Sequence, residues 1–326
     1  MKLPRRQFLH LAAAAAALPV VPRVAKAQTY PSRPVHLLVG LAAGGATDVA
    51  ARIVAEWLSQ QFDQQFVVEN RTGAAGNLAT EAVINSPPDG HTLLFGGPNA
   101  AISALLHKNL RFDFLQDVVA VASVMRFPNL MVVSPSLPAN TVQEFIAYAR
   151  ANPGRLSMAS TGVGASPHLS GELFKFMAKI EMVHVPYRGS TAAYPDLITG
   201  KVHVFFDNLG GPVLELVRSG KLRALGVTTA RRWDALSAIP AIAETVPGYE
   251  VSIWYGIFAP KNTSPEIVAA LSRSINAGLS DSKVRARLVE GGGAPMPMTS
   301  GEFGKFVRDD AEKWRKVIEF AKLSAD

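Results

Sequence analysis

From residue 35 onward, short apolar runs alternate with glycine-rich turns and amphipathic stretches. Runs rich in β-branched or large apolar residues predict nine strands, at 35–39, 66–69, 92–95, 130–133, 157–159, 182–185, 202–206, 224–227 and 252–258. Strands that alternate with helical segments are typical of repeated βα units, so the pattern predicts an α/β fold with mixed, mostly parallel sheets. Nine strands are too many for one small lobe, which favours two.

The stretch after the first predicted strand has the spacing of an amphipathic helix. Val49, Ile53 and Trp57 recur every four residues, while Asp48 and Arg52 belong to a charged stripe on the opposite side. One face of this helix is therefore expected on a sheet and the other in water. Helix-start signals follow later in the chain. We interpret Thr141-x-x-Glu144 and Thr299-x-x-Glu302 as capping boxes, and Ser166-Pro167 and Ser264-Pro265 as an N-cap followed by proline.

Proline-flanked segments indicate where the chain crosses between lobes. These segments are Phe127-Pro128 and residues 239–248. We expect residues 28–127 together with 248–326 to form the first lobe, and residues 128–247 to form the second. A charged helix at about 302–321 is expected to pack back on the first lobe. Its candidate core contacts are Phe303, Phe306, Trp314, Val317 and Phe320.

The N-terminus has the features of an export signal. A cationic head containing Arg5 and Arg6 precedes an apolar run, and Ala25-Lys-Ala27 is a small-x-small cleavage sequence. The run is shorter than the ~20 apolar residues that a spanning helix needs. We predict that residues 1–27 are removed near Ala27 and that the mature chain lies in the periplasm. The paired arginines before Gln-Phe-Leu indicate the twin-arginine pathway; the alternative is an ordinary secretory signal with two chance arginines.

The basic character of the chain belongs mainly to this segment. Five of the 33 basic residues and none of the 26 acidic ones lie in residues 1–27, so 28 basic residues remain against 26 acidic ones. A nearly neutral mature chain without a lysine or arginine cluster gives no reason to expect nucleic acid as a partner. The sequence contains no cysteine, which excludes disulfides, thiolate metal sites and a cysteine nucleophile.

Four loops rich in small residues each follow a predicted strand and open a helix. They are residues 40–48, 70–77, 160–168 and 186–190, two in each predicted lobe. In open α/β sheets such loops lie at the carboxyl ends of the strands, where ligands bind. Small side chains leave the N–H groups at a helix N-terminus uncovered, and these donors together with the helix dipole favour a carboxylate or phosphate. The alternative is that the glycines only permit tight turns.

Motifs of the common enzyme classes do not occur in the sequence. There is no G-x-G-x-x-G or P-loop, no G-x-S-x-G elbow and no H-E-x-x-H. We therefore predict no catalytic residue, no metal site and no cofactor. His168, one turn into a predicted helix, is expected to orient its loop by hydrogen bonding rather than to transfer a proton.

Several charged residues near the loops have two interpretations. Asp48 could contact ligand or cap its own helix. Arg71 and Arg188 could pair with a ligand carboxylate or hold their loops by salt bridges. Asp207 is expected at a strand end facing the cleft, where it would receive an ammonium or hydroxyl group or cap the next turn.

Taken in order, the motifs of this chain resemble those of one receptor family over nearly the whole mature sequence. The matching segments are Gly44-Gly45-Ala-Thr-Asp48, Glu69-Asn70-Arg71, Asp89-Gly90-His-Thr92, His168-Leu169, His184-Val-Pro-Tyr187-Arg-Gly189 and Trp254-Tyr-Gly256. The chain is similar to the periplasmic solute-binding receptors of the tripartite tricarboxylate transporter family, often called Bug receptors. The resemblance implies a two-lobed Venus flytrap that closes over one organic acid.

The resemblance also implies the ligand-binding residues. Loops 41–47 and 73–76 would hold a ligand carboxylate, and the second lobe would supply loops 160–168 and 187–190 and an aspartate. The implied ligand-binding residues are Leu41, Gly44, Gly45, Ala46, Thr47, Gly73, Ala74, Ala75, Gly76, Ser160, Thr161, Gly164, His168, Tyr187, Arg188, Gly189 and Asp207. The chain has Thr72 and Ala75 where the family commonly has proline and glycine, so the role of Ala75 carries over less directly.

We therefore expect a monomeric receptor, not an enzyme, that binds a mono- or dicarboxylate and delivers it to the subunits of a membrane permease. The alternative within the fold is a sensory receptor that signals to a histidine kinase; an α/β enzyme has no visible site. An amino-acid ligand would depend on Asp207, and an aliphatic or aromatic diacid on apolar lining near Leu41 and Phe205. Gly44 and Gly45 are expected to matter more to affinity than any arginine.

Overall fold

The computed structural model describes residues 30–41, 43–106 and 110–323, so the predicted export signal lies outside the described residues. The strands are β1 (Val35–Val39), β2 (Phe66–Asn70), β3 (Thr92–Gly96), β4 (Val118–Val133), β5 (Ser157–Ser160), β6 (Val183–Pro186), β7 (Val204–Asn208), β8 (Arg223–Val227), β9 (Ser252–Pro260) and β10 (Ala294–Pro295). Each predicted strand is present. The short β10 and residues 118–129 of β4 were not predicted.

Helices separate most of these strands. They are α1 (Ala46–Phe62), α2 (Asn77–Ile84), α3 (Pro98–Leu106), α4 (Phe114–Asp117), α5 (Val142–Ala151), α6 (Ser166–Ala178), α7 (Ser190–Ile198), α8 (Gly211–Arg218), α9 (Pro265–Ser280), α10 (Ser282–Glu290) and α11 (Ser300–Ala321). Within the described ranges, no helix is long and apolar enough to cross a membrane.

Strand β4 belongs to two sheets at once. Residues 118–128 pair antiparallel with β9, and Asn129 to Val133 pair antiparallel with β7 and β8. The strand order is β2-β1-β3-β9-β4 on one side and β4-β7-β5-β6 on the other. Pro128 falls where β4 changes partner, so its missing N–H interrupts little of either ladder. The chain therefore continues as a strand through the predicted crossing at Phe127-Pro128. The predicted division into lobes at 127/128 and 247/248 stays a prediction.

The sheets are mixed. Parallel pairing joins β1 to β2 and β3, and β5 to β6 and β7. Antiparallel pairing joins β3 to β9, β4 to β7, β8 and β9, and β10 to β4. The predicted parallel βα units thus form the outer parts of the sheets. The middle is antiparallel, because β9 runs opposite to β3 and β4, and β4 runs opposite to β7.

Helix α11 packs on two apolar cores rather than on one. Phe303 lies in a buried cluster with Trp254, whereas Trp314 and Val317 lie in a second cluster with residues of α6. The indole N–H groups of Trp254 and Trp314 both donate to Asp310 Oδ2, at 2.8 and 3.1 Å. The prediction that Phe320 is a core contact was wrong. Its side chain is 51% exposed because Val317 and Ile318 occupy the core side of the last turns, and its ring packs on that of Phe176.

The predicted helix starts are mostly confirmed. Thr299 and Glu302 form a full capping box. Thr141 accepts the Glu144 N–H at 3.1 Å, but the Glu144 carboxylate accepts from the N–H of Asn140, so this box is incomplete. Ser264 is the N-cap before proline. The N-cap of α6 is Ala165, one residue before the predicted Ser166.

Candidate functional site

A small cavity lies at the carboxyl ends of β1 and β3, beside the first turns of α1, α2 and α3. Its free volume is about 30 Å³, enough for one or two waters. None of the residues that line it is charged. The lining residues are Gly40, Leu41, Thr47, Gly76, Thr80, Leu94, Phe95, Gly96, Gly97, Asn99, Ala100 and Tyr255. The starts of α1 and α2 have no side-chain cap hydrogen bond. Helix starts beside a neutral cavity provide N–H donors and dipoles for an anion.

The loop between β1 and α1 presents the start of α1 with little side-chain cover. Gly45 is the N-cap, has φ −77° and makes no side-chain cap hydrogen bond. Gly44 has φ +82°, and a Cβ built on it would meet no atom within 4 Å. Besides the sign of φ, the two predicted glycines differ in their N–H groups, because that of Gly44 already donates to Asp48 Oδ2 at 2.9 Å. The donors open to a ligand are therefore those of Gly45 and the first turn of α1.

Asp48 holds this loop against the end of β2. Arg52 Nε donates to Asp48 Oδ2 at 2.9 Å, and the Asn70 side-chain amide donates to Asp48 Oδ1 at 2.9 Å and to the Leu41 carbonyl at 3.0 Å. The hydrogen bond from Arg52 is the main reason that the pKa of Asp48 is lowered to about 2. Asp48 does not cap α1, whose N-cap is Gly45 without a side-chain cap hydrogen bond, and it braces the loop instead. Whether it also contacts a ligand stays a prediction.

The loop after β2 comes within backbone contact of the first loop. A Cβ on Gly40 would lie 2.6 Å from Gly76 Cα, so a side chain at Gly40 would require the backbone to shift, whereas Gly76 favours glycine because its φ is positive. Gly73 and Gly76 have φ of +132° and +97°, and residues Ala74–Gly76 form a single 3-10 turn. The side chain of Ala75 lies outside the described residues. Arg71 pairs with Glu69 at 3.3 Å, which is the salt-bridge role proposed from the sequence.

A further loop at this cavity, between β3 and α3, was not among the four predicted ligand loops. Gly96 ends β3 and Gly97 precedes α3, and a Cβ on Gly97 would lie 2.8 Å from the Trp254 carbonyl oxygen. Asn99 and Tyr255 line the same cavity. Tyr255 stacks on Phe95 with ring centroids 5.8 Å apart, and burial raises the pKa of its hydroxyl. The pattern of strand, glycine pair and helix start was available in the sequence, but the contribution of Tyr255 from β9 was not.

The loop between β5 and α6 is fixed by His168. The Gly164 N–H donates to His168 Nδ1 at 3.1 Å, as the predicted orienting role requires. A Cβ on Gly164 would lie 2.5 Å from Leu106 Cδ1, at the end of α3. Because the first turn of α3 lines the cavity, this helix connects the cavity to the loop of the second sheet.

His168 also stacks on His184 of β6. This pair connects loop 160–168 to the strand that leads into loop 186–190. The ring centroids lie 3.7 Å apart with the planes inclined by 16°, and His184 Nε2 lies 2.6 Å from Ser160 Oγ. Burial is the main cause that lowers the pKa of His168 to about 3 and that of His184 to about 4. Both rings are therefore neutral near pH 7. The Tyr187 N–H donates to the Ser160 carbonyl at 2.9 Å, which adds a second connection.

Asp207 does not present a free carboxylate to a ligand. It is 1% exposed, and its oxygens accept from Ser190 Oγ and Tyr194 OH, each at 2.6 Å, and from the Asn208 N–H at 2.8 Å. Burial raises the pKa of this carboxyl. The hydroxyls that Asp207 receives in this structure are those of α7, and it also accepts the N–H of the next residue. Its predicted contact with a ligand stays a prediction. Phe205 is likewise fully buried in the core and does not line the cavity.

The remaining predicted site residues divide into two groups. Leu41, Thr47 and Gly76 line the cavity, whereas Ser160, Thr161, Tyr187, Arg188 and Gly189 do not. Arg188 is exposed and has no carboxylate partner among the residues that the structure describes. Gly189 is the N-cap of α7 with φ +97° and open space beside it. In the same described ranges, no group of three or more His, Asp or Glu side chains is arranged to hold a metal ion.

Two mixed sheets that share a strand, with helix starts gathered at strand ends, define the class of two-lobed solute-binding receptors. Residues 50–323 match the family model described as "Tripartite tricarboxylate transporter family receptor". The chain therefore belongs to this family. The predicted family and fold class are therefore confirmed. Because the family and its structures are solute-binding receptors, the prediction of a receptor rather than an enzyme is also confirmed.

Relatives and solved structures show the same family. Protein BugT of Bordetella pertussis is 34% identical over 313 residues, which cover 95% of this chain and 94% of BugT. The structure of R. palustris Rpa4515 with adipate is 38% identical in sequence and has a TM-score of 0.75. The superposed part covers 90% of this chain and 99% of Rpa4515. MatC from Rhodopseudomonas palustris with bound malate is 29% identical with a TM-score of 0.71, covering 89% of this chain and 100% of its own.

Proposed function

We propose that this protein is a periplasmic receptor that captures a small organic carboxylate between its lobes and delivers it to a tripartite tricarboxylate-type permease. The observation that carries the proposal is the neutral cavity at the first turns of α1, α2 and α3, lined by Thr47 and Gly76. Oriented amides and three helix dipoles offer an anion a site without a cationic side chain. Adipate and malate, the ligands named for two similar structures, are both dicarboxylates.

The second sheet would supply the other wall of the site. Its loop at Gly164 already touches Leu106 of α3, and His168, His184 and Ser160 hold that loop against the next one. A hinge motion that brings loops 160–168 and 186–190 over the cavity would bury the ligand. Because β4 runs through both sheets, we place the hinge near Pro128.

Isothermal titration of the chain from residue 28 onward tests the binding step. We expect at least one of succinate, glutarate, adipate and malate to bind with one-to-one stoichiometry. The absence of heat with all of these acids, and with longer and aromatic acids, would contradict the proposal.

Uptake measurements test delivery to a permease. Cells that carry the permease genes should accumulate the bound acid in a radiolabelled form only when the receptor gene is also present. Equal uptake without the receptor would count against a transport role and would favour the sensory alternative.

A further inference from the structure

The chain passes between the two sheets in two segments, residues 128–129 and residues 249–252, and Thr228 joins these crossing segments. The Asn129 N–H donates to Thr228 Oγ1 at 2.7 Å, and the Thr228 N–H donates to the Asn129 carbonyl at 2.9 Å. Thr228 Oγ1 donates to the Val251 carbonyl at 2.7 Å, and the Val251 N–H donates to the Thr228 carbonyl at 2.8 Å. Asn129 and Thr228 are both fully buried. The crossing segments are therefore held side by side by one threonine in the interior.

Each crossing segment also sends one side chain to the first turns of α6. Asn129 Nδ2 donates to Ser166 Oγ and to Ser170 Oγ, each at 2.8 Å. Tyr249 OH donates to the Ser170 carbonyl at 3.0 Å. Ser166 is the first residue of α6 and lies in loop 160–168, which the proposed closure brings over the cavity. The segments at the proposed hinge are therefore hydrogen-bonded directly to the start of a ligand loop.

The directions of these hydrogen bonds fix the orientation of the Asn129 amide. Ser170 Oγ gives its proton to the Ser166 carbonyl at 2.8 Å, so it can only accept from Asn129. The amide nitrogen therefore faces α6. Among the residues that the structure describes, the buried Oδ1 of Asn129 has no hydrogen-bond partner. Because a buried acceptor without a donor is unfavourable, this amide contributes through its two donations to α6.

Building on the proposed function, we infer that Asn129 is a positioning residue for ligand capture. It acts through Ser166 and Ser170, which fix the first turn of α6 to the crossing segments. When the lobes rotate about these segments, loop 160–168 moves with them as one rigid unit and meets the cavity in a single orientation. Without the amide, the loop closes in several orientations, so that more ordering is needed on binding and the bound acid escapes faster.

Asn129→Ala removes both donations to α6 and tests the effect on affinity. The probe is whichever of succinate, glutarate, adipate and malate binds the wild type most tightly. We expect the dissociation constant to rise about tenfold, mainly through faster dissociation, with the association rate nearly unchanged. Tyr249→Phe removes the connection from the other crossing segment and should give a smaller change in the same direction.

A double variant tests whether Asn129 acts through Ser170. Ser170→Ala removes one acceptor of the Asn129 amide and leaves the asparagine in place. If both residues serve the same connection, the combined variant Asn129→Ala with Ser170→Ala should lose about as much affinity as Asn129→Ala alone. Full additivity of the two losses would contradict this route.

Ligand-induced closure provides a readout that a loss of stability alone would not change. The chain contains no cysteine, so spin labels can be attached only at introduced ones. Gln60→Cys and Lys221→Cys place them at exposed positions in the two predicted lobes. In the wild type, a saturating concentration of the acid should shift and narrow the distribution of distances between the labels. With Asn129→Ala, the distribution at saturation should stay broad.

Asn276→Ala is the matched control. Asn276 Nδ2 also makes two donations, to the carbonyls of Ser272 and Met298 at 2.9 and 3.0 Å, but it lies on α9 and not at a crossing segment. This variant should lower the melting temperature, as Asn129→Ala does. It should leave the affinity, the dissociation rate and the label distances as they are in the wild type.

Two results would overturn the inference while leaving the carboxylate receptor intact. One is wild-type affinity and closure in Asn129→Ala, and the other is an equal loss of both in Asn276→Ala. If Asn129→Ala does not fold, wild-type affinity and closure in Tyr249→Phe and Ser170→Ala would overturn it equally. If no acid binds the wild type, the proposed function itself fails.

Discussion

The side-chain amide of Asn70 donates to Asp48 Oδ1 across 2.9 Å, and this bond fastens the loop that opens α1 to the end of β2. The same Asn70 amide donates to the carbonyl of Leu41, which lines the cavity. The geometry of the first loop therefore depends on a carboxylate that does not line the cavity.

The Asp48 brace predicts a dependence of stability on acid pH. The pKa of Asp48 is lowered from 3.8 to about 2, chiefly by Arg52, so the native chain is stabilised above about pH 4 and loses this contribution as the pH falls towards 2. Asp48→Asn should reduce the free energy of unfolding at pH 7 by up to about 2 kcal/mol. Urea unfolding at several pH values should give a flatter profile for this variant between pH 4 and pH 2. A profile as steep as that of the wild type would contradict the assignment.

Gly45 allows the amide donors to be tested without strain in the backbone. Its φ of −77° accommodates a side chain, whereas a side chain at Gly44, with φ +82°, would be strained in any case. Gly45→Val should cover the first turn of α1 and weaken binding of the acid at least about tenfold, the loss of roughly 1.4 kcal/mol. Titration calorimetry gives the affinity, and thermal unfolding shows whether the fold is retained.

Gly301 provides the matched control for this variant. It lies in the first turn of α11, and a Cβ built on it would meet no atom within 4 Å. Gly301→Val should leave the affinity unchanged. An equal loss of affinity in both variants would show that the effect is general destabilisation.

The His168 and His184 stack predicts a second pH dependence, in a different range. Their pKa values are lowered from 6.5 to about 3 and about 4, so stability is full above about pH 6.5. It declines at lower pH because the unfolded chain takes up protons that the folded chain excludes, with a slope of up to about 1.4 kcal/mol per pH unit for each histidine. His168→Asn and His184→Gln place a polar atom near the ring nitrogen that makes the hydrogen bond, Nδ1 of His168 and Nε2 of His184. Both variants should flatten the decline of the free energy of unfolding between pH 6.5 and 4.

Urea unfolding across that pH range provides the measurement, and His36→Gln changes a half-exposed histidine that has no part in the stack. If the stack variants keep the slope of the wild type, protonation of these rings does not control stability in this range.

Asp310 is predicted to be a main support of the C-terminal helix. Its Oδ2 accepts from the indoles of Trp254 and Trp314, and its Oδ1 lies 2.6 Å from Lys313 Nζ. Asp310→Ala leaves two buried N–H groups without an acceptor and should cost about 2–4 kcal/mol in the free energy of unfolding. Asp310→Asn keeps an oxygen acceptor and should cost less. Chemical denaturation followed by tryptophan fluorescence distinguishes the two, and equal losses would contradict the hydrogen-bond account.

The predicted export signal gives an experiment that is independent of the fold. Replacing Arg5 and Arg6 together by lysine keeps the charge but removes the arginine pair. This double variant should accumulate inside the cell if the twin-arginine pathway is used. Cell fractionation with an antibody to the mature chain measures the distribution. Unchanged export would indicate the general secretory route.

Local patterns were enough to locate most elements of the fold. The strand runs and the capping box at Thr299 depend on neighbouring residues, and they are where the sequence predicts them. The first part of β4 was missed because residues 118–127 are an apolar run without clear periodicity, and because Pro128 was interpreted as a break. Whether a proline interrupts a strand depends on which neighbouring strand pairs with it at that position, and the local sequence does not indicate that pairing.

The sequence predicted which loops form the candidate site, but it did not predict the contacts that side chains make there. Glycines beside strand ends marked the loops that meet at Gly40 and Gly76. The role of Asp207 was not predictable, because it depends on two hydroxyls that α7 brings to the carboxylate from a different part of the chain. Tyr255 reaches the cavity from β9, more than 200 residues after the first loop in the sequence.

The shared strand β4 has a consequence for synthesis of the chain. Its residues 118–128 cannot pair with β9 until residues 252–260 have left the ribosome. Strand β3 also pairs with β9 and therefore depends on the same segment. Pairings this distant in sequence form slowly and leave strand edges open in the meantime. A nascent chain that stalls before residue 252 would expose both edges and aggregate. Expression of either half alone would yield an insoluble fragment rather than a lobe.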